Sequence, residues 1–154
     1  ATIDKKIKEK YTFYQELASE EMFKDVNDFK HVAYGFFPLN PVTVYALIHL
    51  SEIVAQNERT LFTFLSDTDE NSFNSFIQNE ENGLFNVDKI FDYFSVLLKK
   101  EEENSIRNIW YRSEAVLSKV TDQIDRRIIK ALAIILMINE LDVFSPDERT
   151  LHLS

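Results

Sequence analysis

Few residues in this sequence combine the types and spacing that chemistry requires. The clearest pair is His49-Leu50-Ser51-Glu52, since positions three apart on a helix bring an imidazole and a carboxylate to one face. Zinc would need further ligands that the pattern does not supply, and cysteine is absent. A surface or half-buried histidine is the simpler reading; a metal or acid–base enzyme would need His49 and Glu52 buried together in one polar cleft. No nucleophile elbow or comparable signature supports a Ser–His–Asp set. A phosphate loop of the form GxxxxGK(S/T) depends on glycines that let backbone N–H groups approach the phosphates. Gly35 and Gly83, the two glycines present, are too far apart for that loop or for GxGxxG. The sequence therefore predicts no unaided binding of a nucleoside triphosphate and no autonomous catalysis, with neither a catalytic nor a metal site.

The run Gln56-Asn57-Glu58-Arg59-Thr60 stands between two apolar stretches. Asn57, Glu58, Arg59 and Thr60 are placed either to cap the second stretch, with a local Glu58–Arg59 surface pair, or to face a partner. In the second case the Arg59 guanidinium suits bidentate contact with phosphoryl oxygens held by another domain or subunit. Capping is the simpler reading from spacing alone. Arg126, Arg127 and Lys130 form a basic cluster with Asp122 and Asp125 within a turn, which predicts local ion pairs on a solvated face. The phenylalanines and tyrosines at helical spacing are expected in the core rather than in a ligand box.

Helices must position these groups. Two glycines and three prolines in 154 residues are too few for the turns of an all-β fold. Ile3, Ile7, Tyr11, Tyr14, Leu17 and Ala18 predict an amphipathic helix over roughly residues 3 to 25. In Tyr34-Gly-Phe-Phe-Pro-Leu-Asn-Pro, Asn40 is placed to cap a helix with Pro41 at its first position. Val44, Leu47, Ile48 and Val54 mark its buried stripe, and a short helix through Leu61, Phe62, Phe64 and Leu65 follows. Residues 66 to 86 read as a loop holding one short helix anchored by Phe73, Phe76 and Ile77.

Asn86 can cap a helix through Ile90, Phe91, Phe94, Val96, Leu97 and Leu98, with Lys99 and Lys100 in its last turn. Glu101-Glu102-Glu103 opens the next, carried by Ile106, Ile109, Trp110, Ala115, Val116, Leu117 and Val120. Ile124 through Leu141 is apolar nearly all round and belongs in the centre. Ser145-Pro146-Asp147-Glu148 reads as a capping box, with Glu148 reaching back to Ser145.

These elements predict an all-α fold, a single-domain bundle of about six to eight helices over residues 1–154. With 17 basic and 26 acidic residues the net charge is −9, which repels phosphate backbones, so direct nucleic-acid binding is not expected. The apolar run Ile128 to Ile138 is interrupted by Lys130 and is shorter than the roughly 20 residues that span a bilayer. The lack of cysteine fits a reducing, cytoplasmic setting. A start without Met or a signal core, and a last helix announced but cut short, predict a piece of a larger multidomain protein.

Four elements resemble a family of large bacterial P-loop ATPases, AAA-like or STAND-like, many linked to phage defence of BREX-like type. Phe36-Phe-Pro-Leu-Asn-Pro-Val-Thr is similar to that family's aromatic-Pro-Leu-His-Pro-Leu-Thr, and Ala55-Gln-Asn-Glu-Arg-Thr-Leu-Phe-Thr-Phe-Leu to its AQNERTLFSFL-like run. Phe91-Asp-Tyr-Phe resembles its YDYF, and Ile129-Lys-Ala-Leu-Ala-Ile-Ile its IKTIALL. They occur in the family's order over roughly residues 32 to 150, with the Gln-Asn-Glu-Arg element the specific one. Asn40 replaces the family's usual His, which removes an ionisable group and leaves capping possible.

The resemblance implies an accessory, lid-like domain downstream of the nucleotide-binding core, with ATP and Mg bound by the parent protein. Asn57, Glu58 and Arg59 would then be nearest the nucleotide or a neighbouring subunit, and the partners would be the rest of the ATPase chain and its neighbours. The alternative from the residues alone is a stand-alone helical protein–protein interaction module that receives a partner helix.

Overall fold

The computed structural model describes residues 5, 23, 26–54, 59–79, 83–142 and 144–153. Among them the fold is all-α: α1 (Val26–Gly35), α2 (Pro41–Val54), α3 (Arg59–Ser66), α4 (Phe73–Asn79), α5 (Val87–Lys100), α6 (Asn104–Leu117), α7 (Gln123–Ile138) and α8 (Glu148–Leu153). The helix expected over residues 3 to 25 falls largely outside them. No described helix is long and apolar enough to cross a membrane. α1 is not among the helices expected from the sequence; its signal is the four-residue spacing of Phe29 and Ala33, both buried.

α7 is the central helix, packed against α5, α6, α2 and α8. Its second half buries Ala131, Ala133, Ile134, Ile135, Met137 and Ile138, and full burial of each large side chain is worth about 1.5–3 kcal/mol. Its ends are set locally. Asp122 caps the start, its Oδ1 accepting from the backbone N–H groups of Ile124 and Asp125 at 2.9 and 3.0 Å. Asn139 closes the helix in the left-handed region at φ 58°. The helix thus stops at Ile138 rather than running to Leu141, and its first two turns leave Ile124 and Ile128 exposed. Apolar on all sides in sequence, α7 is buried over most of its circumference only in its second half, where Leu132 is half-buried and Leu136 exposed.

Several predicted stripes are narrower than expected for the same reason. Ile48, Ile77, Val96, Leu97 and Val116 are exposed, because each neighbouring helix covers only part of the circumference. α2 is the reverse case: Pro41, Val42, Thr43 and Val44 are consecutive and all buried, which encloses its first turn completely.

Two caps differ from the sequence expectation. Asn86 precedes α5 but makes no capping bond with its side chain, which instead accepts a hydrogen bond from Asn40. At α8 the cap is Asp147, whose Oδ1 accepts from Thr150 N at 2.7 Å, and the helix begins at Glu148 rather than at Pro146. An Asp immediately before the helix meets the exposed N–H groups directly, so Ser145 and Glu148 do not form the predicted box.

Candidate functional site

Asn40 lies at the centre of the junction that positions α2. Its backbone N–H donates to the Phe85 carbonyl (3.0 Å), and the Phe85 N–H donates to the Pro38 carbonyl (2.9 Å), an isolated parallel bridge between Leu39 and Phe85. The Asn40 Oδ1 accepts from Val42 N (3.0 Å), the capping bond expected from sequence. Its Nδ2 donates to Asn86 Oδ1 (2.9 Å), tying the entrance of α2 to the entrance of α5. The peptide between Phe37 and Pro38 is cis. One buried amide therefore supplies a donor and an acceptor in opposite directions, which a carboxylate or a hydrocarbon at this place could not do.

α2 leads from this anchor toward the Gln-Asn-Glu-Arg run. Asn57 and Glu58 lie outside the described residues, and Arg59 is the first residue of α3, its backbone described and its side chain not. On α3 the two phenylalanines part company. Phe64 is fully buried, with ring centroids of Phe73, Phe85, Tyr93 and Phe94 within 5.0–5.9 Å. Phe62 is 74 % exposed, and Leu65 is also exposed. Most phenylalanines do form core, as expected, but Phe36 and Phe62 do not.

His49 Nδ1 stands 3.9 Å from Glu52 Oε2, and the Glu52 side chain is 71 % exposed. The His49 ring packs on Tyr45 at 4.3 Å. The pair is thus a surface contact one turn apart and not the buried polar cleft that a metal or acid–base site would need. No group of three or more potential metal ligands occurs among the described residues. Burial, and secondarily the negative charge of Glu140, raises the Tyr45 phenol above its ordinary range.

The basic cluster of α7 is organised differently from the local pairs expected. Arg127 Nε donates to Asp88 Oδ2 at 3.0 Å, and Lys130 Nζ bonds Asp92 at 2.7 Å, so both bases cross to α5. Arg126 instead donates to the carbonyls of Leu117 and Val120, holding the α6–α7 connection. Asp122 is occupied as a helix cap. The signal for the cross-helix pairing was present: acids at 88 and 92 and bases at 127 and 130 each recur at about one helical turn. Which helices would meet was not visible. Asp88 is buried, and its Oδ1 has no partner among the described residues; nor has the buried Thr43 Oγ1.

A cleft of about 150 Å³ between α4 and α5 is lined by Glu70, Ser72, Ser75, Asn79, Lys89 and Asp92 among others. Two of its three charged groups are engaged within the fold: Lys89 Nζ lies 5.1 Å from the centroid of the Phe76 ring, and Asp92 holds Lys130. Nearby, the Tyr93 hydroxyl donates to Asp67 Oδ2 at 2.9 Å. That bond is the main reason the Asp67 carboxyl is held below its ordinary value, while burial first and Asp67 second raise the Tyr93 phenol.

Comparison of the chain with protein-family models, with curated proteins and with solved structures returns no match.

Proposed function

We propose that this chain is an accessory helical domain of a large P-loop ATPase, one that couples nucleotide state to the arrangement of its helices and performs no catalytic step itself. The observation that carries the reading is the position of the Gln-Asn-Glu-Arg run. It joins α2, whose first turn is enclosed, to α3, which opens at Arg59 and leaves Phe62 74 % exposed. A polar connecting sequence between an anchored helix and a short one with exposed apolar side chains is well suited to contact another domain.

In this reading Asn57, Glu58 and Arg59 face the nucleotide or a neighbouring subunit, and ATP and Mg are held by the parent protein's core. An arginine there would stabilise charge on phosphoryl oxygens in a two-pronged geometry that lysine lacks. α3 has 8 residues, and helices that short depend on packing for stability. A change of contact at Arg59 would therefore bias α3 between two packed arrangements, which is how a local event becomes a domain movement. A cytoplasmic setting and a role in phage defence belong to the same proposal.

The test uses the full-length parent protein, comparing wild type with Arg59→Ala and Arg59→Lys. The expected result is a lowered ATPase rate or nucleotide affinity in both, with circular dichroism unchanged. Unaltered rate and affinity would overturn the role of Arg59. Calorimetry showing micromolar ATP binding to this chain alone would overturn the accessory reading as a whole.

A further inference from the structure

The face of α7 left uncovered by the described helices is apolar. Ile124, Ile128 and Leu136 are 66 %, 40 % and 38 % exposed, and Leu132 between them is half-buried. At 3.6 residues per turn these positions fall within about 120° of the circumference and run about 18 Å along the axis, so they form one stripe. The bases of α7 do not serve it, since Arg126 holds backbone carbonyls and Arg127 and Lys130 cross to α5.

The margins of the stripe are acidic. Asp122 and Asp125 are exposed at its start, and Glu140 and Asp142 are exposed just beyond its end, on either side of the exposed Leu141. The last turn of α7 carries no basic side chain, so the partial negative charge of the helix terminus adds to these carboxylates. Lys119, on the connection before α7, is an exposed base at the first end.

We propose that this stripe receives a basic amphipathic helix of a partner protein, about three turns long, with an apolar face bracketed by Lys or Arg at both ends. The inference holds whether or not the chain is joined to an ATPase core. Charge selects this occupant over a second copy or an anionic bilayer. Antiparallel pairing of two copies through α7 would set Asp122 and Asp125 against Glu140 and Asp142, and parallel pairing would set each acid against its own copy. An anionic bilayer surface would meet the same repulsion.

The probe is a fluorescein-labelled synthetic helix of Leu at heptad spacing with Lys at both ends, titrated by anisotropy against the full chain. Binding is expected, weakening as salt rises. The variant Ile124→Ala/Ile128→Ala should weaken it on the order of 10-fold, as truncating buried anchors does. Asp125→Asn/Glu140→Gln should weaken it about 3-fold or more, whereas the control Glu70→Gln/Glu102→Gln, which removes the same charge elsewhere, should leave it unchanged. All these positions are exposed, and circular dichroism checks that the fold persists.

Equal affinity for the isoleucine variant, or equal weakening by the control pair, would overturn the proposal. A dimer in sedimentation that Ile128→Ala dissolves would assign the face to a second copy instead. Binding that emerges only when Lys5, Lys6, Lys8 and Lys10 are all changed to Ala would assign it to the chain's own N-terminal segment.

Discussion

Arg127 of α7 and Asp88 of α5 meet at 3.0 Å with unequal exposure: the arginine side chain is 54 % accessible and the carboxylate 10 %. The acid is thus the partner that depends on the bond. It sits in the first turn of α5, where the helix dipole also favours its charge, but its second oxygen has no partner among the described residues.

Removing the base should therefore cost more than an exposed ion pair is worth. Arg127→Met is expected to destabilise the fold by about 1–3 kcal/mol, the cost of leaving a largely buried carboxylate uncompensated. Adding Asp88→Asn to that variant should recover part of the loss. Urea unfolding of both variants checks this; no recovery in the double variant would mean that the loss came from packing of the arginine stem.

The Asn40 amide joins two helix entrances. Asn40→Ala removes the α2 cap and orphans the Asn86 oxygen, with an expected loss of about 2–3 kcal/mol. Asn40→Asp retains an acceptor for the Val42 N–H but places a carboxylate against Asn86 Oδ1. It should fall between alanine and wild type. Denaturation midpoints of the two variants give the order directly.

Phe64 and Phe62 make a controlled pair on one short helix. Phe64→Ala should cost about 3–5 kcal/mol, because four aromatic neighbours lose their common contact. Phe62→Ala should change stability by no more than about 0.5 kcal/mol. If the proposed inter-domain contact exists, Phe62→Ala should instead impair activity of the full-length protein, and comparing melting with ATPase rate separates the two effects.

The Tyr93–Asp67 hydrogen bond predicts a stability that fades at both ends of the pH range. Asp67 is held below its ordinary value of 3.8, so its contribution is complete above that value and is lost as pH falls through the lowered one. Tyr93 is raised above its ordinary value of 10.0, so its contribution is complete below that value and is lost as pH rises further. The difference in melting temperature between wild type and Tyr93→Phe should be steady between these limits and shrink outside them. A difference that does not vary with pH would assign the effect to packing.

Much of the fold was legible in the sequence because its signals are local. The scarcity of glycine and proline excluded an all-β fold, and helical spacing located α2, α3, α5, α6 and α7. Asn40 before Pro41 marked the start of α2, since a side chain two residues from the N–H it accepts needs no tertiary partner. The missing glycine loop was equally plain, being a requirement of backbone geometry. Tertiary structure decided what depends on residues distant in sequence. Asn86 left its own helix to bind Asn40, and Arg127 and Lys130 passed over the acids beside them for Asp88 and Asp92. Phe62 and Phe64, identical in type and two positions apart, were separated into surface and core. The same holds for α7, whose apolar circumference was evident in the sequence. Only the arrangement of α2, α5 and α6 around it determined that most of its second half is enclosed and that Ile124, Ile128 and Leu136 remain open, because hydrophobicity records a capacity for burial and not which neighbour will provide it.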